Sequence, residues 1–107
     1  MVVKYIKKRY LLFEIHSEKN ISFEDIEKAI KDKFKELFGE VGLSEANIKL
    51  LNIPYAPLFT ISINYKYIEK LKFSLGMIIN IDNSKVILRS LKVYGTLKKI
   101  NKLKGGN

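Results

Sequence analysis

The chain has no cysteine and no tryptophan, a single histidine, His16, and only two prolines, Pro54 and Pro57. Without cysteine there are no disulfides and no thiolate metal sites, and one histidine leaves little scope for zinc or histidine-base chemistry. Long apolar runs are missing as well. Those at Leu11–Phe13 and Met77–Ile79 are three residues long, against the roughly 18 to 20 residues that a membrane-crossing helix needs. Neither a signal peptide nor a span is visible, so a soluble, cytoplasmic protein is expected. What is present is 107 residues with 47% hydrophobic content, enough for one compact domain and too few for two.

Acidic residues are the other scarcity, and it is local. Twenty Lys and Arg against eleven Asp and Glu give a net charge of +9. From Met1 to Ile53 ten basic residues meet nine acidic ones; from Pro54 to Asn107 ten meet two. From Lys85 onward seven cations (Lys85, Arg89, Lys92, Lys98, Lys99, Lys102, Lys104) occur with no acid among them, and a smaller cluster of Lys4, Lys7, Lys8 and Arg9 opens the chain. A run of three or four lysines is ordinarily a solvated face. Seven cations without a counter-charge repel one another and disfavour the compact state unless an anion is near, and nucleic acid is the commonest such partner. An anionic membrane would call for a long basic amphipathic helix.

The pattern along the chain predicts alternating elements. Arg9–Ser17 has period two, with Leu11, Phe13 and Ile15 on one face, as in a half-buried strand. Ser22 is placed to cap a helix with acids in its first turn, where the macrodipole favours them. Ile26, Ala29, Ile30, Phe34, Leu37, Phe38 and Val41 follow helical spacing, with Glu24–Lys28 and Glu27–Lys31 as supporting pairs and Gly39 and Gly42 as stop signals. Ile48–Ile53 and Leu58–Asn64 read as strands around a proline-punctuated turn. Ile68, Leu71, Leu75, Ile78 and Ile79 sit at helical spacing, Asp82-Asn83-Ser84 marks a turn, and Val86–Val93 reads as a strand with apolar residues on both parities. Thr96 can cap a short last helix with Leu97, Ile100 and Leu103 on one side and Lys98, Lys99 and Lys102 on the other.

The order β-α-β-β-α-β plus a C-terminal basic helix implies an α+β, ferredoxin-like or RRM-like two-layer sandwich in a single domain, 1–107, with a basic arm at 1–8 and a frayed tail at 105–107. One sheet face is expected to be open for a partner. Leu12, apolar on the side away from the core, fits such a contact and is equally unremarkable alone. Leu58–Tyr65 lacks the aromatic-rich octamer of an RNA-recognition motif, so ordinary base stacking on the third strand is not expected. No nucleophile, base and acid recur at a recognisable spacing, and the expected catalytic and metal sets are empty. His16 reads as an edge histidine, and Glu24, Asp25 and Glu27 as first-turn acids and not a magnesium site. Lys98 and Lys99 in the first turn of the last helix oppose its dipole, which costs a few tenths of a kcal/mol each. The arrangement becomes favourable if phosphate oxygens approach that end. Gly95 before it allows an unusual backbone angle or a close ligand approach.

The segments Lys7–Glu18 (Lys-Lys-Arg-Tyr-Leu-Leu-Phe-Glu-Ile-His-Ser-Glu) and Val86–Ile100 (Val-Ile-Leu-Arg-Ser-Leu-Lys-Val-Tyr-Gly-Thr-Leu-Lys-Lys-Ile) resemble the archaeal ribonuclease P protein component 2 family, which has a eukaryotic nuclear counterpart. The resemblance spans nearly the whole chain and is weakest from Gly42 to Pro57. It implies an RNA-binding subunit of a ribonucleoprotein endonuclease that removes the 5′ leader of precursor tRNA. The RNA would perform the hydrolysis with Mg2+ at its own active site, with no cofactor on the protein, and protein component 3 and other subunits would be partners. Arg9, Arg89, Gly95, Thr96 and Lys98 match the family pattern, whereas the glycine expected near Lys92 is replaced by that lysine. The expected RNA contacts are Lys7, Lys8, Arg9, Arg89, Lys92, Gly95, Thr96, Lys98, Lys99 and Lys102. Two rival readings are a general RNA- or ribosome-associated ferredoxin-like protein and a small ferredoxin-like hydrolase of acidic substrates.

Overall fold

The period-two stretch near the start becomes the central strand. In the computed structural model, which describes residues 7–104, β1 (Lys8–Ser17) is paired on both sides. After it come α1 (Phe23–Ala46), β2 (Lys49–Leu51), β3 (Leu58–Asn64), a 3-10 turn (Tyr65–Tyr67), α2 (Ile68–Met77), β4 (Asn80–Ile81), β5 (Ser84–Tyr94) and α3 (Leu97–Lys104). The sheet order is β2-β3-β1-β5-β4 with every neighbouring pair antiparallel. β1, β2, β3 and β5 with α1 and α2 make the ferredoxin-like sandwich. The two-residue β4 is an unforeseen fifth strand, formed because Asp82 and Asn83 both take positive φ and close a two-residue hairpin onto β5.

The main core lies between the sheet and α1 and α2. Leu11 and Phe13 of β1, Phe59, Ile61 and Ile63 of β3, and Val86 and Leu88 of β5 meet Ile26, Ile30 and Phe34 of α1 and Leu71 and Leu75 of α2. Phe13 and Phe59 stack at 5.9 Å between centroids, a favourable spacing for aromatic pairs. Ser22 caps α1 as expected, its hydroxyl accepting from Asp25 N at 3.2 Å. The predicted Glu27–Lys31 pair forms at 3.8 Å. Glu27 does more than pair: its carboxylate accepts the Leu50 N–H at 3.1 Å and so ties α1 to the free edge of β2.

Several expectations are corrected. Gly39 and Gly42 do not end α1. Gly39 takes φ +82° and breaks the helix, which resumes and runs to Ala46; Asn47, at φ 52° with its N–H bonded to Leu43 O, is the actual terminator. A fully buried Ala46 and the bond from the Tyr67 hydroxyl to Glu45 at 2.5 Å hold this second arm in place; that carboxylate keeps the Tyr67 hydroxyl above its usual pKa. β2 is shorter than the predicted Ile48–Ile53. Ile79 lies beyond α2 and is two-thirds exposed. Lys7 and Lys8 are not a loose arm: Lys8 begins β1, and Lys7 O accepts the Tyr65 N–H at 2.8 Å. Residues 1–6 of that predicted arm and the predicted tail at 105–107 lie outside the described residues.

Candidate nucleic-acid interface

Because Leu11 and Phe13 face the helices, Lys8, Tyr10, Leu12, Glu14 and His16 stand on the opposite, outer face of β1. β5 carries its cations there too. Arg89 is paired with Glu14 and Ile87 with His16, and residues directly opposite in an antiparallel pair share a face. The register then shifts between Leu12 and Phe13, whose partners are Lys92 and Ser90, leaving Leu91 as an extra residue on β5. This bulge is what turns Lys92 outward onto the face of Arg89, and it returns Val93 to the core. It also explains why both parities of β5 carry apolar residues: Ile87 (66% exposed) and Leu91 (42%) are not core.

The outer face is not open, as expected from the sequence, but partly covered. Leu12 (5% exposed), Thr60 and Ser62 point to it and are buried, yet lie outside the main core. Thr60 donates to Ile53 O at 2.9 Å, which brings the segment before Pro54 over one side. α3 covers the other: it packs against β5, with Ile100 fully buried and also outside the main core. Leu12 is therefore an internal contact and not an exposed docking residue. With Ile100 inward, Lys98, Lys99 and Lys102 are exposed, so the lysines of α3 join those of β5 on one side of the molecule.

Of the ten predicted contact residues, Lys8, Arg89, Lys92, Lys98, Lys99 and Lys102 share this side, and Gly95 and Thr96 form its exposed turn between β5 and α3. Arg9 does not join them. It has the parity of Leu11, on the helix side of the sheet, and its guanidinium donates to Lys8 O at 3.1 Å. Lys7 precedes β1 and is exposed. Lys85, not among the predicted contacts, stands on the outer parity of β5. The reading of Gly95 as an unusual backbone angle fails, since among the described residues the glycine at positive φ is Gly39; a Cβ at Gly95 would meet open space. Gly95→Ala is thus expected to melt no lower than the parent and to gain up to about 1 kcal/mol, as thermal denaturation will check. Any change in RNA affinity that it causes is then a contact effect.

The far end of the same face holds an apolar cavity of about 450 Å3 lined by His16, Ser17, Glu18, Ile79, Asn80, Lys85, Val86 and Ile87. His16 Nε2 lies 2.8 Å from Glu14 Oε1, while the Ser17 hydroxyl donates to Lys19 O. The hydroxyl and the imidazole are thus each engaged elsewhere, unlike a nucleophile and its base. No group of three or more His, Asp or Glu able to hold a metal occurs among the described residues, and no helix among them is long and apolar enough to cross a membrane.

The cationic side draws its residues from β1, β5 and α3. The family model described as the Rpp14/Pop5 family matches residues 9–103. The chain belongs to the Rpp14/Pop5 family. Its relatives include ribonuclease P protein component 2 of Sulfurisphaera tokodaii, 36% identical over 98 residues, covering 92% of this chain and 79% of that protein. The protein of the same name from Thermococcus kodakarensis is 29% identical over 97 residues, covering 90% and 81%. That from Saccharolobus solfataricus is 31% identical over 102 residues, covering 92% and 69%. Among solved structures, a chain of yeast ribonuclease MRP superposes with a TM-score of 0.68 at 16% identity, covering 90% of this chain and 79% of its own. At that identity the match speaks for the fold. The Rpp14/Pop5 match covers Arg9–Glu18 of the first resembling segment, all but its opening Lys7 and Lys8, and the whole of the second, and it extends through β5 and most of α3.

Proposed function

We propose that this chain is the component 2 subunit of a cytoplasmic ribonuclease P: an RNA-binding protein without catalytic residues of its own. It supports the catalytic RNA in removing the 5′ leader of precursor tRNA. Membership of the family across the chain carries the reading. The shared outer side of Lys8, Arg89, Lys92, Lys98, Lys99 and Lys102 supports it physically, since phosphate neutralisation releases counterions and positions an RNA without reading its sequence. Mg2+ belongs to the RNA in this scheme, and protein component 3 is the expected protein partner.

The test is reconstitution of precursor tRNA cleavage from the ribonuclease P RNA and its partner proteins, with and without this chain. Cleavage at low magnesium is expected to accelerate when the chain is added. An unchanged rate, together with co-purification of ribosomal RNA and no ribonuclease P RNA, would replace this function by that of a general RNA-associated protein.

A further inference from the structure

One rung of the sheet carries more than charge. The register links Lys49 to Ser62, Ser62 to Tyr10 and Tyr10 to Tyr94, so these four residues form a line across β2, β3, β1 and β5 on the outer face. Tyr10 and Tyr94 are directly opposite one another, with Cβ atoms about 4.5 to 5.5 Å apart. Both are partly buried, with some surface left accessible. The Lys92 ammonium stands 5.1 Å from the centroid of the Tyr94 ring, close enough for a cation–π contact. Lys8 precedes Tyr10 by two residues on the same face, and the residue across β3 from Tyr10 is the small Ser62. Ser62 is itself buried, whereas the two tyrosines, with lysines beside them, keep accessible surface and lie outside the main core.

We propose that Tyr10 and Tyr94 form a stacking platform for an unpaired base of single-stranded RNA, with Lys92, Lys8 and the lysines of α3 holding the flanking phosphates. The inference rests on the RNA-binding reading above and adds a ligand class to it: a splayed-out nucleotide, in place of the phosphate backbone of a duplex alone. Sheet aromatics suit such a base because every base has a π-face, so the contact needs no particular sequence. The octamer sought on the third strand is indeed lacking, but the rings stand on β1 and β5, the two strands that the cationic side already occupies. The bulge at Leu91 is part of the device: it sets Tyr94 opposite Tyr10 and Lys92 beside it.

The experiment uses the full chain and a short single-stranded oligoribonucleotide with 2-aminopurine at its centre, alongside a duplex of the same length. Quenching of the 2-aminopurine on binding is expected for the single strand. Tyr10→Leu and Tyr94→Leu, which keep apolar bulk, are expected to weaken single-strand binding roughly 5- to 150-fold, the range of one base–aromatic stack. Tyr10→Phe and Tyr94→Phe are expected to retain it, and duplex binding should change little. Should the leucine variants bind the single strand as the parent does and the parent show no quench, while Lys98→Ala still weakens binding, the platform falls and the cationic side stands. Equal losses in the phenylalanine and leucine variants would assign the contact to the hydroxyl and overturn stacking. Failure of the parent to bind either RNA would remove the RNA-binding reading along with the platform. The quench on the parent is independent of whether any variant folds.

Discussion

Replacing Ile100 by aspartate is expected to release α3 from the sheet while the main core stays folded. Ile100 is completely buried but belongs to the outer-face contacts, not to the cluster between the sheet and α1 and α2. A carboxylate there has either to be buried without a partner, at a cost of several kcal/mol, or to leave. Leaving is the cheaper course, because α3 is eight residues long and a helix of that length is not stable in water without packing. The expected readouts are loss of amide-exchange protection in Leu97–Lys104, a modest fall in helical circular dichroism and a near-parental cooperative melt. RNA binding should weaken at the same time, since Lys98, Lys99 and Lys102 are then no longer held beside Lys92. Retained protection in α3 would show that its seat on the sheet is not what Ile100 provides.

The triple variant Lys98→Ala, Lys99→Ala, Lys102→Ala separates charge from docking. It leaves Ile100 in place, and alanine in a first turn removes cations that oppose the helix dipole, so stability should hold or rise slightly. If all three lysines meet phosphates, the slope of log affinity against log salt falls by roughly 2 to 3 units. Between about 50 and 200 mM salt the parent would then lose roughly 20- to 40-fold more affinity than the variant. Reconstituted precursor tRNA processing should slow most where magnesium is limiting. An unchanged slope and unchanged processing would remove α3 from the RNA contact and leave the strand cations alone in that role.

Much of this architecture is legible from residue order. The alternation of Leu11, Phe13 and Ile15, the cap at Ser22 and the Ile26-Ile30-Phe34 spacing are local signals, and the core uses them as read. The failures come where a local rule competes with packing. A glycine at 39 breaks the helix, yet burial of Ala46 brings the chain back into it, so the terminator is the left-handed Asn47. The buried face of β5 could not be assigned because the one-residue bulge changes its parity halfway. Leu12 is buried on the outer face, which its parity on β1 alone does not show.

The basic run from Lys85 was the legible part of the candidate site, and charge needs no register to be noticed. The division of Arg9 from Arg89, on opposite sides of the sheet, follows only from strand parity after pairing is known. The Tyr10–Tyr94 juxtaposition was invisible for the same reason: 84 positions separate two residues that share a rung. Aromatic content alone could not have paired them.

The bond from the Leu50 N–H to Glu27 bears on how the molecule behaves in company. β2 is the last strand on its side, and a bare row of amides there would be a template on which another chain could extend the sheet. The carboxylate occupies one of those amides from within, whereas at the opposite margin β4 spans only Ser84 and Lys85 of the eleven-residue β5. The β2 margin is thereby a poor seed for polymerisation, while most of β5 beyond β4 has no strand neighbour on that side among the described residues. Strand addition is disfavoured at β2, and a partner that extended the sheet would have to add along β5.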